Sequence, residues 1–272
     1  MSEWNALSVE RHQEHVAEIV LIGPGHGNAM GPDFWRELPP VVRELNADES
    51  LRCLIMRGGG EHFTYGLDLP GMAQTMGNLI QGGASGRVDI VQTASHMVEG
   101  LDALATGRLP VIAAVHGWCI GAGIEMIAAC DIRLASQTAR LALREVKVGI
   151  VPDLGGIQRL PHIIGEGWAR ELALTGDDFT ADRAREIGLF THVFDDDAAL
   201  FAAARDQAAR IAANPPLVTA GIKQVMNGRI QSQISQANHA AATLNGLLMQ
   251  SEDFAEAMQA FMEKREPTFK GR

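Results

Sequence analysis

Short apolar runs alternate with segments of helical spacing over the first half of the chain. Residues 109–117, LPVIAAVHG, are apolar almost throughout, which is typical of a strand buried on both faces of a sheet. Helical spacing follows directly over 121–130. Strands that alternate with helices predict an α/β fold with a mainly parallel sheet and helices on its faces. The other elements predicted here are strands at 15–23, 51–60 and 131–136, and helices at 32–48 and about 88–106.

Two stretches interrupt this alternation of strands and helices, and the amino-acid composition changes near the C-terminus. Residues 61–72 are predicted to form a loop, and residues 73–88, which contain four glycines, predict a flexible excursion near a ligand or the surface. Beyond residue 196 the chain is rich in alanine, glutamine and methionine at helical spacing. We therefore predict a core over 1–196 and a helical region over 197–272.

The composition and charge of the chain argue against several classes of protein. The chain has 272 residues, of which 46% are hydrophobic and 21% charged, as in ordinary globular proteins. Its formal net charge of −10 argues against nucleic-acid binding, which requires a basic surface. The polar N-terminus does not resemble a secretory signal, and no apolar run approaches the roughly 18 residues of a membrane span. We expect a cytoplasmic protein with no nucleic-acid or membrane partner.

The metal-ligating residue types show no recognisable spacing. The three cysteines are an odd number without a CxxC pair, and the histidines lack a pattern such as HExxH. We therefore predict no metal site and no disulfide framework, and we assign the histidines no catalytic role.

One carboxylate lies inside an apolar helix. Glu125 follows the turn GAG at 121–123, and burying a carboxylate without compensation costs roughly several kcal/mol. It therefore either points outward or is held for chemistry. The first amides of the helix could bind an oxyanion together with the amide of Leu67, where Gly66 allows the backbone to approach a ligand. A dinucleotide fingerprint would need a glycine in place of Met126, and this stretch alone favours packing by small residues.

Two further carboxylates follow at Glu145 and Asp153. Moving a proton between carbon atoms requires a base and an acid, and neighbouring desolvated carboxyls can fill both roles. Taken singly, Glu145 between Arg144 and Lys147 is typical of a surface ion pair, and Asp153 after Pro152 is typical of a turn. The spacing leaves both interpretations open.

Five blocks of the sequence resemble the successive signatures of the crotonase (enoyl-CoA hydratase/isomerase) superfamily. They are HFTYGLDL, AAVHGWCIGAGIEMIAACDIRLAS, LREVKVGIVPDLGGIQRLPHIIG, ELALTGDDFTADRAREIGLFTHVF and AFMEKREPTFKG, and they cover most of residues 15–270. The resemblance implies a crotonase-like spiral of ββα units and a C-terminal helical region that builds a homotrimer or a homohexamer. It also implies an acyl-CoA thioester as substrate, with no cofactor other than the coenzyme A that the substrate carries.

The resemblance also implies roles for particular residues. The N–H groups of Leu67 and Ala122 would form an oxyanion hole, although glycine is usual at the second position. Hydratases carry two glutamates that match Glu125 and Glu145. Dienoyl-CoA isomerases of the Δ3,5-Δ2,4 type use a glutamate that matches Glu145 and an aspartate that matches Asp153. Substrate or CoA contacts are implied for His62, Phe63, Thr64, Gly66, Asp68, Gly121 and Lys264.

The motifs resemble the dienoyl isomerase branch more closely, yet that branch more often carries aspartate at the position of Glu125. The sequence therefore predicts an enzyme that acts on fatty acyl-CoA double bonds in β-oxidation, as a dienoyl-CoA isomerase or an enoyl-CoA hydratase. Thioester hydrolysis, decarboxylation and a non-enzymatic helical scaffold stay open as alternatives.

Overall fold

The computed structural model describes residues 4–25 and 27–272, and of Gln74 only the backbone. Its strands are β1 (Leu7–Gln13), β2 (Val16–Leu21), β3 (Cys53–Gly58), β4 (Val111–Val115), β5 (Trp118–Ile120), β6 (Ile132–Ser136), β7 (Arg140–Ala142), β8 (Phe179–Thr180) and β9 (His192–Phe194). Its helices are α1 (Pro32–Ala47), α2 (Leu69–Gln81), α3 (Gly83–Thr106), α4 (Ala122–Ala129), α5 (Gly156–Ile164), α6 (Glu166–Thr175), α7 (Ala181–Glu186), α8 (Asp197–Ala212), α9 (Pro216–Gly228), α10 (Gln231–Leu248) and α11 (Glu252–Glu263). A 3-10 turn spans Glu145–Val148.

The main sheet has the strand order β1-β2-β3-β4-β6-β9. The pair β1-β2 is antiparallel, and each of the other neighbouring pairs is parallel. Strand β4 lies between β3 and β6, and all its residues are buried, as its continuous apolar run predicted. A smaller sheet of order β5-β7-β8 stands beside the main one. The predicted α/β class and the mainly parallel sheet are confirmed.

Each face of the main sheet packs against helices, and the side chains alternate between the two faces. Ile112 and Ala114 of β4 belong to a core cluster with α8, whereas Val111 and Ala113 belong to the larger cluster on the opposite face. Helix α8 presents a buried stripe at four-residue spacing, formed by Leu200, Ala204, Ala208 and Ala212. The predicted boundary at residue 196 thus falls directly before a helix that covers one face of the sheet.

The predicted flexible excursion at 73–88 is helical instead, because all these residues except Gly82 belong to α2 and α3. Its predicted place near a ligand agrees with the position of α2 along the cavity. The side chain of Asp68 caps α2 by accepting a hydrogen bond from the N–H of Gly71, at 3.0 Å. Apolar side chains recur along α2 at helical spacing and line a cavity. Only the junction between the helices uses the freedom of glycine, since Gly83 has a positive φ of 61°.

The predicted helical region over 197–272 contains α8, α9, α10 and α11. Helix α10 packs against α3 and α5, and α11 packs against the 3-10 turn, so the region contacts the elements that surround the cavity. In the part of the chain that the structure describes, no helix combines the length and apolar character needed to cross a membrane.

Candidate active site

A cavity of about 600 Å³ lies between α2, α3 and the start of α4. Most of its wall is apolar, and Glu125, Glu145 and Asp153 all line it. An apolar cavity with a few convergent polar groups is the usual form of a small-molecule site. Side chains from α2, α3 and the segment after α10 that form the apolar wall include Met72, Met76, Leu79, Ile90, Met97 and Met249.

Leu67 lines this cavity, and the pairing of its loop with Met30 directs the N–H of Leu67 away from Met30. Met30 donates to the carbonyl of Gly66 at 2.8 Å, and its own carbonyl accepts from the N–H of Asp68 at 3.1 Å. In such a parallel bridge the peptide groups on either side of Leu67 bond to Met30, so the N–H of Leu67 itself faces the other way. Among the described residues no acceptor takes this N–H.

The second amide belongs to Ala122, the first residue of α4. The first N–H groups of a helix have no partner within the helix, so this donor is also available. Gly121 precedes it with a positive φ of 53°, and the N–H of Gly121 is held by the carbonyl of Ala142 at 2.8 Å. A Cβ atom on Gly66 would lie 2.5 Å from the carbonyl oxygen of Ile120 and 3.4 Å from the nitrogen of Ala122. The two amide-bearing segments are therefore in direct contact.

Glu125 is buried, with 1% of its surface exposed. Its Oε2 accepts hydrogen bonds from the N–H groups of Leu154 at 3.0 Å and Gly156 at 2.8 Å, at the start of α5. Burial raises the pKa of Glu125 well above its ordinary value, and the charges of Glu145 and Asp153 raise it further, against the two amide donors. The surroundings of Glu125 therefore favour its protonated form.

Glu145 begins the 3-10 turn, and its carboxyl lies beside the start of α4. Its Oε1 is 3.0 Å from the place that a Cβ on Gly121 would occupy, and its Oε2 is buried without a hydrogen-bond partner among the described residues. Burial raises the pKa of Glu145 to about 7, and the charge of Asp153 adds to this effect. Its own amide opposes it. Glu125 and Glu145 thus influence each other's titration at the cavity.

The alternative interpretation of Glu145 as a surface ion-pairing residue is wrong. Its sequence neighbours Arg144 and Lys147 form ion pairs elsewhere, with Asp178 and Asp177 respectively. These partners come from the loop after α6, and they lie 34 and 30 positions further along the chain than Arg144 and Lys147. The carboxyl of Glu145 is left facing the cavity.

Asp153 lies in the loop before α5, and its carboxyl also faces the cavity. Its Oδ2 accepts a hydrogen bond from Nδ2 of Asn245 at 2.8 Å. Burial raises the pKa of Asp153 to about 6, and the bond from Asn245 limits the rise. Asn245 was missed by the sequence reasoning, because nothing in its helical surroundings distinguishes it from other polar residues of α10.

The other predicted contact residues separate into two groups. Asp68 and Gly121 line the cavity, whereas Phe63 and Thr64 are fully buried behind it. Thr64 shapes the loop, since its Oγ1 donates to the carbonyl of Asn28 at 2.8 Å and accepts from the N–H of Gly66 at 3.0 Å. The contribution of these buried residues is therefore to hold the loop that carries the Leu67 amide.

Like Phe63, Thr64 and Gly66, the predicted contacts His62 and Lys264 do not line the cavity of this chain. His62 accepts a hydrogen bond at Nδ1 from the N–H of Trp118, at 3.3 Å, and its ring stacks near Tyr65. Lys264 caps the C-terminal end of α11 with a left-handed φ of 53°, and its side chain is exposed. A role for Lys264 toward CoA stays a prediction.

One cluster of potential metal ligands occurs among the described residues, at Glu10, His12 and Glu18. Its carboxylates are already occupied by cations, because Arg57 and Arg205 reach Glu18 at 2.7 and 2.6 Å. Arg57 also contacts Glu10 at 2.8 Å. The cluster is an ion-pair network on β1 and β2, and it does not line the cavity.

Comparison with known proteins agrees with this geometry. A mitochondrial Delta(3,5)-Delta(2,4)-dienoyl-CoA isomerase of Dictyostelium discoideum is 37% identical over 99% of this chain and 93% of that protein. A short-chain-enoyl-CoA hydratase of Clostridium acetobutylicum is 34% identical over 97% of both chains. A crystal structure of an enoyl-CoA hydratase/isomerase from Pseudoalteromonas atlantica T6c superposes with a TM-score of 0.85 at 26% identity, covering 98% of this chain and 100% of that one.

The family described as "Enoyl-CoA hydratase/isomerase" matches residues 11–272. That match covers nearly the whole chain, including both amide donors and the three carboxyls of the cavity. The fold is that of the crotonases, as the sequence motifs predicted. The chain is an acyl-CoA-processing enzyme and belongs to the enoyl-CoA hydratase/isomerase family.

Proposed function

We propose that the enzyme converts a 3,5-dienoyl-CoA into a 2,4-dienoyl-CoA through a thioester enolate. The observation that carries this proposal is that Glu145 and Asp153 line the same cavity next to two amides without protein acceptors. Isomerisation moves a proton between two distant carbons, so it needs two proton-transfer groups. The names of relatives such as the Dictyostelium isomerase support the same choice.

In this proposal the thioester oxygen accepts hydrogen bonds from the N–H groups of Leu67 and Ala122. Negative charge grows on that oxygen when a proton leaves C2, and donors already in place stabilise it without reorganisation. Removing one such donor typically costs about 3–4 kcal/mol of transition-state stabilisation. The oxyanion hole would therefore lower the barrier for proton loss from C2.

The proton transfers follow from the positions of the carboxyls. Glu145 lies beside Gly121 at the oxyanion hole, so its carboxylate would take the proton from C2. The C2–H electrons form a C1–C2 double bond while the C1–O π pair moves onto the thioester oxygen, which gives the enolate. In the second step the oxygen pair forms the C1–O double bond again, and the C1–C2 π pair moves to C2–C3. The C3–C4 π pair moves to C4–C5, and the C5–C6 π pair takes a proton from Asp153 to form the C6–H bond. Afterwards the proton returns from Glu145 to Asp153 through solvent, which restores the enzyme.

This scheme requires the pair Glu145 and Asp153 to hold one proton between them. With pKa values of about 7 for Glu145 and about 6 for Asp153, the pair holds one proton mainly between pH 6 and 7. That proton lies mostly on Glu145, so the productive arrangement, with Glu145 ionised and Asp153 protonated, is the minor form of the singly protonated pair. Isomerisation should therefore follow a bell-shaped profile of kcat/KM centred between these values.

A second candidate reaction is hydration of a 2-enoyl-CoA. Glu125 and Glu145 are adjacent buried carboxyls, and such a pair could orient and activate a water molecule. The name of the Clostridium relative, a short-chain-enoyl-CoA hydratase, favours keeping this reaction in view. Hydration would use Glu125 and leave Asp153 aside.

Two substrates and two matched variants separate these reactions. Wild-type enzyme is incubated with a 3,5-dienoyl-CoA, where a conjugated 2,4-dienoyl product absorbs at longer wavelength, and with a 2-enoyl-CoA, where hydration removes absorbance. We expect Asp153→Asn to slow isomerisation by about 10²–10⁴-fold and to spare any hydration. We expect Glu125→Gln to slow hydration more than isomerisation. Isomerisation at the wild-type rate in Asp153→Asn would refute the proposal.

We also propose that the chain assembles as a homotrimer or homohexamer. Exposed apolar side chains are concentrated on α9 to α11, and large exposed apolar patches commonly mark protein interfaces. Light scattering should give three or six times the chain mass of 29.2 kDa. The patch includes Leu217, Val225, Met226, Leu247 and Met262.

The cytoplasmic location and the absence of a cofactor beyond CoA stay predictions. The Dictyostelium relative is named as a mitochondrial protein, so fractionation of the native host would test the location.

A further inference from the structure

Asn245 is a fully buried amide on α10, with 0% of its surface exposed. Its Oδ1 accepts the N–H of Val151 at 2.9 Å, and its Nδ2 donates to the carbonyl of Val151 at 2.8 Å. The same Nδ2 donates to Oδ2 of Asp153 at 2.8 Å. The side chain of Asn245 thus makes two hydrogen bonds to the backbone of Val151 and one to the carboxyl of Asp153.

The backbone of Val151 determines which end of the amide faces Asp153. The N–H of Val151 can only donate, so it requires the oxygen of Asn245, and the carbonyl of Val151 can only accept, so it requires the nitrogen. Rotating the amide by 180° would break both bonds. A donor is therefore presented to Asp153 at all times.

Helix α10 is itself held in place at this point. Gly246, the next residue, packs against α3 so closely that a Cβ atom there would lie 3.1 Å from the carbonyl oxygen of Arg87. Because α3 also forms a wall of the cavity, the position of Asn245 is fixed relative to that wall.

We infer that Asn245 is a positioning residue, which holds Oδ2 of Asp153 so that Oδ1 is the atom that exchanges a proton with the substrate. The inference rests on the proposed isomerisation, in which Asp153 protonates C6. A neutral donor on Oδ2 leaves Oδ1 as the site for the proton, and it also stabilises the ionised carboxyl. Asn245 touches no reacting atom in this scheme and acts through Asp153.

The charged groups around Asp153 determine how its titration responds. Glu125 comes from α4 and Glu145 from the 3-10 turn, and each is coupled by charge to Asp153. Arg159 of α5 directs its guanidinium to Asp102 of α3. The group that α10 contributes at Asp153 is the amide of Asn245. Losing this donor should therefore raise the pKa of Asp153, because burial and the neighbouring carboxylates act in the same direction.

The test replaces Asn245 by leucine, which has a similar shape and no donor, and by serine as a smaller second variant. The readout is the pH profile of kcat/KM for a 3,5-dienoyl-CoA. We expect the low-pH limb to move upward by about half to one pH unit, with a larger loss in kcat than in KM. The double variant of Asn245→Leu with Asp153→Asn should isomerise no more slowly than Asp153→Asn alone.

Asn238 supplies a matched control on the same helix. It lies two helical turns before Asn245 and is also buried, and neither of its side-chain polar atoms has a partner among the described residues. We expect Asn238→Leu to leave the pH limbs at their wild-type positions. A general disturbance of α10 would change both variants alike.

A second measurement does not depend on activity. A carboxyl with a raised pKa in the folded protein favours folding when it is protonated, so its contribution fades as pH rises through the folded pKa. For Asp153 this window runs from 3.8 to about 6. Tm is measured from pH 4 to 8 for two pairs of proteins: wild type with Asp153→Asn, and Asn245→Leu with the double variant Asn245→Leu/Asp153→Asn. Within each pair, the difference in Tm changes with pH as Asp153 titrates. We expect this change to end at a higher pH in the pair that carries Asn245→Leu.

The outcomes separate the two proposals. Low-pH limbs and a Tm window equal to those of wild type in both Asn245 variants would overturn the role of Asn245. A wild-type enzyme without isomerase activity would overturn the proposed function, and the Tm window would still decide whether Asn245 governs the titration of Asp153. A shifted limb that also occurs in Asn238→Leu would count against a specific role.

Discussion

Replacing Glu145 by glutamine should stabilise the folded protein at high pH while it removes activity. The wild-type carboxyl is held in a cavity next to two other acidic groups, and burial raises its pKa from 4.5 to about 7. Above pH 7 the folded protein must carry this charge where it is poorly solvated, whereas the unfolded chain carries it in water. Glutamine has nearly the same shape and never ionises.

The magnitude follows from the pKa. One pKa unit corresponds to about 1.4 kcal/mol, so the full rise in the pKa of Glu145 corresponds to about 3 kcal/mol at pH values above 7. Water in the open cavity screens part of this energy, and we expect about 1–3 kcal/mol. For a chain of this size, 1 kcal/mol shifts Tm by about 2–4 °C. The variant should therefore melt about 2–12 °C above wild type at pH 8.

The difference in stability between Glu145→Gln and wild type depends on pH. A raised carboxyl pKa favours folding while the group is protonated, and this contribution is lost as pH rises from 4.5 to about 7. The advantage of Glu145→Gln should thus be small at pH 5 and full at pH 8. Differential scanning calorimetry at both pH values, at equal protein concentration, measures it. Glu171→Gln, an exposed change on α6, is the control. An equal difference in Tm at pH 5 and pH 8 would refute the reasoning.

Two further changes test how the site and the fold are held. A Cβ on Gly156 would lie 2.4 Å from Cγ of Glu125, so Gly156→Ala should displace this carboxyl. We expect turnover to fall by about 10²-fold while the circular dichroism spectrum stays unchanged. Turnover at the wild-type rate would contradict the close contact between Gly156 and Glu125. Lys223 is buried and bonds to Asp131 and to the carbonyl of Leu104 at 2.8 and 2.6 Å. Lys223→Met should lower the free energy of unfolding by about 3–5 kcal/mol in urea titrations, and a loss below about 1 kcal/mol would show that the buried ion pair contributes little.

The sequence predicted the elements whose patterns are strong and continuous. The apolar run of β4 and the helical spacing of α4 correspond closely to the structure, and they carry the junction where the Ala122 amide lies. Glu125 was recognised as unusual because a carboxylate in an apolar helix needs a compensating environment. The compensation itself, two amides at the start of α5, comes from residues about 30 positions away.

The predictions that were wrong or incomplete concern residues whose structure depends on contacts with distant parts of the chain. Glycines near 77–86 suggested flexibility, but apolar residues of α2 pack along the cavity, and tertiary packing outweighs local helix propensity. The hairpin partner β1 was missed, because its polar residues face solvent at the edge of the sheet. Glu145 resembles a surface residue in the sequence because basic residues flank it, whereas Arg144 and Lys147 pair with residues of a distant loop.

The role of Asn245 could not be predicted from a sequence pattern. Its three hydrogen bonds join α10 to a loop more than 90 positions earlier in the chain, and a helical pattern reveals only that the position is buried. Which buried polar residue meets which carboxyl is decided by the packing of α10 on α3 and α5.

The central claim is that the N–H groups of Leu67 and Ala122 bind one thioester oxygen beside the cavity carboxyls. A crystal structure of the enzyme with a saturated acyl-CoA, which cannot isomerise, tests it most directly. We predict that the thioester oxygen lies about 2.7–3.1 Å from both nitrogens, with C2 next to Glu145 and the acyl chain along α2 and α3. A thioester oxygen that contacts neither nitrogen, or an acyl chain outside this cavity, would contradict the account.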